Sequence, residues 1–151
     1  LAPVKSMLNM FYDNPDYVKS VTLICGFKNE EGIIFKNDLE KWKEKFTTIY
    51  TLDRDHKEGW NTGFVTEFVS KVPFSEFGED YEVVIVGPPP MMKFTAIEAE
   101  KCGVKDENIW VSFERKMSCA VGKCGHCRID EVYVCLDGPV FNYTKAKYLV
   151  D

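Results

Sequence analysis

Four cysteines crowded into one short stretch constrain this chain more than any other feature. The spacing C-x4-C-x2-C-x7-C joins Cys119, Cys124, Cys127 and Cys135, so four of the six cysteines lie within 17 of the 151 residues. Thiolates this close together in a reduced protein are usually held by a metal. The first three match the C-x4-C-x2-C run of plant-type iron–sulfur loops, in which a single loop wraps the cluster and a fourth cysteine arrives later. The spacing predicts a [2Fe–2S] centre with these four cysteines as its metal ligands.

The residues between the ligands suit a loop that wraps a cluster. Gly122 and Gly125 supply backbone freedom where the chain must turn tightly. After Cys127, the segment 128–134 alternates around Asp130 and Glu131, which predicts a hairpin. Such a hairpin would double the chain back and present the fourth cysteine beside the first three.

A structural zinc site with four cysteines is the alternative. Zinc ribbons usually pair their ligands on two separate hairpins, whereas here three ligands share one loop and only one pair has the x2 spacing. His126 lies between two ligands and is interpreted as a spacer or as a hydrogen-bond donor to the site. Cys25 and Cys102 are predicted to be inert packing residues, because free cysteine is among the most buried residue types.

Composition bounds the remaining possibilities. The chain is 45% hydrophobic and 14% aromatic, enough for a packed core. A formal charge of −5 and a pI near 5.2 argue against a nucleic-acid partner, which would need a basic surface. The sequence contains neither an apolar run of membrane-helix length nor a signal peptide, so we expect a cytoplasmic protein without a membrane partner.

Apolar runs alternate with helical patterns along the first 113 residues. Strands are predicted at 21–26, 47–52, 83–86 and 109–113, and helices at about 3–11, 38–46, 62–72 and 90–102. This alternation predicts an α/β fold with a parallel sheet. Ligands of such sheets bind beyond the carboxyl ends of the strands, where Gly26, Asp53 and Gly87 are small or polar residues that suit approach by a nucleotide. Taken singly, each of these three could equally be an ordinary turn residue.

Several motifs resemble the ferredoxin–NAD(P)+ reductase superfamily, in the branch with a cysteine lobe at the C-terminus. The opening Leu1-Ala2-Pro3 resembles the end of that family's GGxGxAP segment, and the run from Val84 to Met92 (VIVGPPPMM) resembles its cGPxxMm motif. Gly59-Trp60 with 63–65 resembles its GW-x2-G-x-V segment. The resemblance covers essentially the whole chain.

The resemblance implies an NAD(P)-binding domain at residues 1–113 and a [2Fe–2S] lobe at 114–151. It implies a nicotinamide pocket at Gly87, Pro88, Met91 and Met92, an adenosine side at Gly26, Phe27 and Lys28, and further contacts at Ala2, Pro3 and Asp53. It also implies an oxidoreductase subunit that passes electrons from NAD(P)H through FAD to the cluster and on to a catalytic subunit. Because the opening glycines and an FAD barrel are not in the sequence, we expect this chain alone to lack the FAD, to bind NAD(P)H weakly and to be inactive as a reductase.

Three relatives within the branch compete. The run from Val111 to Asp137 and the tail NYTKAK most resemble the electron-transfer subunit of anaerobic sulfite reductase, which implies delivery of electrons for reduction of sulfite to sulfide. The alternatives are the electron-transfer subunit of dihydroorotate dehydrogenase and the gamma subunit of sulfhydrogenase. A nucleotide-binding module with a structural zinc lobe remains the non-redox alternative.

Overall fold

A computed structural model describes residues 1–149, which pack as two compact units that divide between Val72 and Pro73. The first unit opens with a 3-10 turn (Ala2–Val4) and helix α1 (Lys5–Asp13), and a further 3-10 turn follows at Pro15–Tyr17. It continues with β1 (Thr22–Phe27), α2 (Lys36–Trp42), β2 (Thr47–Leu52), β3 (Asn61–Thr62) and a 3-10 helix at Val65–Lys71. The three strands form one parallel sheet in the order β1-β2-β3.

The core of the first unit forms where the apolar side of the sheet meets α1 and α2. Trp42 is fully buried and its indole N–H donates to Asn9 Oδ1 at 3.0 Å. The Tyr50 hydroxyl donates to the Leu39 carbonyl at 2.7 Å, which ties β2 to α2. The buried side chains that form this core are Leu8, Cys25, Ile33, Leu39, Trp42, Phe46, Tyr50 and Leu52.

The second unit holds a 3-10 turn (Phe74–Glu76), β4 (Val83–Val86), α3 (Pro89–Lys101), a 3-10 turn (Asp106–Asn108) and β5 (Ile109–Ser112). Its cysteine-bearing part contains β6 (Arg128–Ile129), β7 (Val132–Tyr133), α4 (Val134–Asp137), β8 (Val140–Asn142) and α5 (Tyr143–Ala146). β4 and β5 are parallel, β8 joins β5 antiparallel, and β6 pairs with β7 as a hairpin.

These observations confirm the predicted α/β fold with parallel strands, and they correct several details. The segment predicted as a helix from residue 62 is instead a two-residue strand followed by a 3-10 helix from Val65. Helix α2 begins after Phe35, which has a left-handed φ of 56°, and not after an Asn37 or Asp38 cap. Among residues 1–149, no helix has the length and apolar content that crossing a membrane requires.

Leu39 tests whether the α2 contacts hold the first unit together. Its side chain is 1% exposed, so Leu39→Ala leaves a cavity and should lower the free energy of unfolding by about 2 to 5 kcal/mol. Asn37 lies on the same helix but is exposed, so Asn37→Ala should change that free energy by less than about 0.5 kcal/mol. Urea unfolding followed by tryptophan fluorescence measures both. Equal effects of the two substitutions would contradict the assignment of Leu39 to the core.

Candidate metal centre and nucleotide site

The four cysteines lie in a long excursion whose two ends meet. Ser112, the last residue of β5, pairs with Val140 at the start of β8. The Phe113 N–H then donates to the Pro139 carbonyl at 2.9 Å, and the Phe113 and Phe141 rings lie 5.6 Å apart. Residues 113–139 are therefore closed at their base by the sheet, which fixes where the cysteine loop begins and ends.

The backbone of the loop repeatedly adopts left-handed conformations. Ala120, Gly122 and Gly125 have φ values of 55°, 67° and 79°. Glycine adopts such values without strain, whereas alanine does so at a cost. These turns curl the chain around the thiols and aim successive N–H groups inward. Sequence reasoning identified the two glycines but not Ala120, because alanine carries no signal for this conformation.

Backbone N–H groups surround the Cys119 sulfur. Those of Val121, Lys123 and Cys124 donate to Cys119 Sγ at 3.5, 3.3 and 3.4 Å. Their donation lowers the pKa of the Cys119 thiol, with Val121 making the largest contribution. A ring of donors of this kind stabilises a thiolate, the form of cysteine that binds a metal.

The four thiols fall into two interacting pairs. Cys119 interacts with Cys124, and Cys127 interacts with Cys135. The Gly122 N–H donates to Cys135 Sγ at 3.3 Å, which links the loop to the second pair. The Cys127 side chain is buried at 2% exposure, whereas Cys124 is exposed. Within residues 1–149, no group of three or more His, Cys, Asp or Glu side chains is arranged to hold a metal ion.

Neighbouring groups shift the second member of each pair in opposite directions. The backbone of His126 donates to Cys124, and this bond is the largest cause of the lowered pKa of Cys124. The Cys127 thiol raises the pKa of Cys135 more than any other neighbour. A bound cation would stabilise all four as thiolates, so the donor set and its amides fit an iron–sulfur cluster.

The two remaining cysteines lie apart from this loop in the sequence. Cys25 is buried in β1, and burial raises the pKa of its thiol to about 11. Cys102 caps the C-terminal end of α3 and is half-buried. An inert role is still the interpretation of both.

Predicted nucleotide contacts in the first unit gather at one edge of its sheet. Phe27 pairs with Leu52, and the Asp53 N–H donates to the Phe27 carbonyl at 3.0 Å. Gly26, Phe27, Lys28 and Asp53 therefore lie together at the carboxyl ends of β1 and β2. A Cβ on Gly26 would approach Val65 Cγ1 to 2.5 Å, so only glycine fits there without a shift. Ala2 and Pro3 form the opening 3-10 turn of the same unit and are exposed.

The other predicted contacts belong to the second unit, where β4 leads into α3. Gly87 follows β4, Pro88 is the N-cap of α3, and Met91 folds back so that its Cε would lie 2.0 Å from a Cβ on Gly87. Met92 is buried at 4% exposure, so it packs in the core of the unit. The 13-residue helix begins at this strand end, and helix N-termini favour anionic groups.

Comparison with known proteins assigns both parts of the chain. Residues 1–96 match the family model of the oxidoreductase NAD-binding domain. The chain belongs to this family. Residues 114–147 match the iron–sulfur cluster binding domain of dihydroorotate dehydrogenase B, and that stretch contains all four clustered cysteines. The NAD-binding domain is of the ferredoxin–NADP reductase type, as the sequence predicted.

Curated relatives and solved structures give the same picture for this NAD-binding family member. Sulfhydrogenase 2 subunit gamma of Pyrococcus furiosus is 33% identical over 97% of this chain and 56% of the relative. A probable dihydroorotate dehydrogenase B electron transfer subunit of Methanocaldococcus jannaschii is 33% identical over 85% of this chain and 47% of the relative. The chain thus spans about half the length of these relatives. The solved NADH-dependent reduced ferredoxin-NADP oxidoreductase matches with a TM-score of 0.60 and 27% identity over 83% of this chain and 43% of that one.

These relatives support the two alternatives, the dihydroorotate dehydrogenase and sulfhydrogenase subunits, better than they support reduction of sulfite. The narrower resemblance to the anaerobic sulfite reductase subunit rests on the sequence alone. What the comparisons establish is a chain for electron transfer, with an NAD-binding part and an iron–sulfur part.

Gly122 and Gly125 provide a matched test of the loop. Both have left-handed φ values, so alanine at either position should cost about 1 to 2 kcal/mol. At Gly122 the added Cβ would also lie 2.3 Å from Leu136 Cδ1, whereas at Gly125 no atom lies within 4 Å. Gly122→Ala should therefore destabilise the metal-free protein more than Gly125→Ala, as measured by urea unfolding under reducing conditions. A larger loss from Gly125→Ala would show that the loop conformation is misassigned.

Proposed function

We propose that this chain is the NAD-binding and cluster-binding part of an electron-transfer subunit, and that Cys119, Cys124, Cys127 and Cys135 ligate a [2Fe–2S] cluster. The observation that carries the proposal is the pairing of the four thiols beneath backbone N–H donors. Two pairs of thiolates provide two ligands for each of two irons, with the inorganic sulfides completing each iron's coordination. The amides stabilise the negative charge that such a cluster carries.

The functional division places the NAD-binding part at residues 1–113 and the cluster part at residues 114–151. Gly26, Phe27, Lys28 and Asp53 take the adenosine side, and Gly87, Pro88, Met91 and Met92 take the nicotinamide side, with Ala2 and Pro3 next to the cofactor. When bound, FAD and the cluster supply the redox chemistry, since a flavin accepts the two electrons of a hydride and releases them singly to a one-electron centre. The residues of this chain bind, orient and shield those groups. FAD belongs to the whole protein, as a flavin does in the solved relative named for flavin-based electron bifurcation.

The electrons then pass to a catalytic partner subunit. The names of the relatives favour a hydrogenase-type or a dihydroorotate dehydrogenase partner over a sulfite-reducing one. The sulfite alternative keeps only the sequence resemblance of the run from Val111 to Asp137.

Reduction with dithionite tests the proposal directly. Anaerobically reconstituted protein should contain two irons and two sulfides per chain, with visible absorption that bleaches when dithionite is added. Colourless protein that retains one zinc after reconstitution with iron and sulfide would support a structural zinc lobe and reject the relay.

Single substitutions assign the ligands. Replacing any one of Cys119, Cys124, Cys127 or Cys135 with serine should remove most of the iron and the visible bands, because a cluster held by four cysteines loses one ligand. Cys102→Ser is the matched control and should retain both. Iron and sulfide are quantified on the same samples. A clustered cysteine whose replacement leaves the iron content and spectrum unchanged is not a ligand.

The adenosine side should favour NADH over NADPH. Asp53 lies at the carboxyl end of β2, and the Asp55 carboxylate accepts from the Glu30 N–H at 3.1 Å, so carboxylates concentrate at this edge. A carboxylate there bonds a ribose 2′-hydroxyl and repels a 2′-phosphate. Asp53→Asn should raise NADPH affinity relative to NADH by about tenfold, the equivalent of about 1.4 kcal/mol.

Titration of the whole protein with each nucleotide measures that ratio. Asp16→Asn is the control, because it removes the same charge from an exposed site outside the sheet edge. An equal shift of the ratio in both variants would reduce the effect to net charge. An unchanged ratio in Asp53→Asn would remove Asp53 from the adenosine side.

A further inference from the structure

The cysteine loop is basic in an otherwise acidic chain. Residues 114–128 contain four basic residues, Arg115, Lys116, Lys123 and Arg128, against the single acidic residue Glu114. Their formal charge is +3 while the whole chain carries −5, so the other 136 residues together carry −8. A local excess of one charge sign steers partners of the opposite sign toward that part of a surface.

Two exposed apolar side chains lie directly beside the thiols. Val121 is 56% exposed and Leu136 is 61% exposed. Leu136 Cδ1 would be 2.3 Å from a Cβ on Gly122, so Leu136 covers the residue next to Val121. The N–H groups of Val121 and Gly122 donate to the sulfurs of Cys119 and Cys135. The exposed apolar pair is therefore separated from a thiol of each pair by a single backbone hydrogen bond.

Lys123 places a positive charge at the same point. Its side chain is exposed, and its backbone N–H donates to Cys119 Sγ at 3.3 Å. Within residues 1–149, neither Lys123 nor the exposed Lys116 has a carboxylate within ion-pair distance. Lys123 is therefore available for a carboxylate of another protein.

We propose that Val121, Leu136 and Lys123 form a docking face for an electron-accepting protein whose own face carries carboxylates around an apolar centre. The proposal rests on the proposed function, because the face lies over the thiols assigned to the cluster. Apolar contact at the centre with a charged rim is the usual anatomy of a protein interface. Complementary charge at such a rim mainly accelerates association. One electron leaves the reduced cluster and one acceptor centre is reduced by one electron, with no bond broken and no proton moved.

Two acceptor proteins of opposite charge provide the test. Protein reduced by dithionite, with the excess reductant removed, is mixed in a stopped-flow instrument with rubredoxin, which is acidic, or with cytochrome c, which is basic. At low ionic strength, Lys123→Glu should lower the second-order rate constant for rubredoxin by about tenfold and raise that for cytochrome c. Added salt should reduce both differences, because it screens the charges.

Lys19→Glu is the matched control, since Lys19 is exposed in the first unit and its replacement changes the net charge equally. It should leave both rate constants near those of the unsubstituted protein. Lys123→Gln, a milder change, should give a smaller effect in the same direction if Lys123→Glu disturbs the loop.

The outcomes separate the docking face from the proposed function. A chromophore that dithionite does not bleach would overturn both, because no electron could leave. A normal chromophore with equal rate changes in Lys123→Glu and Lys19→Glu would overturn the docking face and leave the proposed function standing. Faster reaction of Lys123→Glu with rubredoxin would reverse the inferred charge of the partner.

Discussion

Thiolates repel one another, and four of them can share a small volume only where donors and cations offset their charge. In this chain the first offset comes from the backbone. Three N–H groups donate to the Cys119 sulfur and one donates to Cys135, and the His126 backbone serves Cys124. The left-handed turns at Ala120, Gly122 and Gly125 exist because only such turns point successive amides toward the same sulfurs. The candidate site thus depends on backbone geometry before any metal ligand is considered.

That geometry depends in turn on how the loop is anchored. β8 pairs antiparallel with β5, so a segment of 27 residues leaves and returns to adjacent positions on one sheet. Beyond β8, Lys147 forms an ion pair with Asp106, which fastens the chain after α5 to the turn before β5. Asn142 also donates from its side chain to the Glu107 carbonyl at 2.8 Å. Closing a loop at its base reduces the conformational entropy that its interior must lose when it orders.

Sequence patterns predicted most of the regular structure because its signals are local. β2 and β4 have the predicted bounds, since runs of β-branched and apolar residues mark buried strands directly. The hairpin around Asp130 and Glu131 was predicted by alternation. β8 was missed because three residues are too short for a periodic signal, and its pairing with β5 is a tertiary contact. Phe64, predicted to face inward, is 55% exposed, because the chain is extended there and its N–H bonds Glu67 instead of starting a helix.

For the candidate site, cysteine spacing was enough to nominate four ligands, and it carried no information on how the thiols pair or which amides serve them. Native mass spectrometry of the anaerobically reconstituted protein tests the central claim most directly. The account predicts a single bound species heavier than the metal-free chain by two irons and two sulfides, lost together when the four cysteines are replaced. A species heavier by one zinc, unchanged after reconstitution with iron and sulfide, would contradict it.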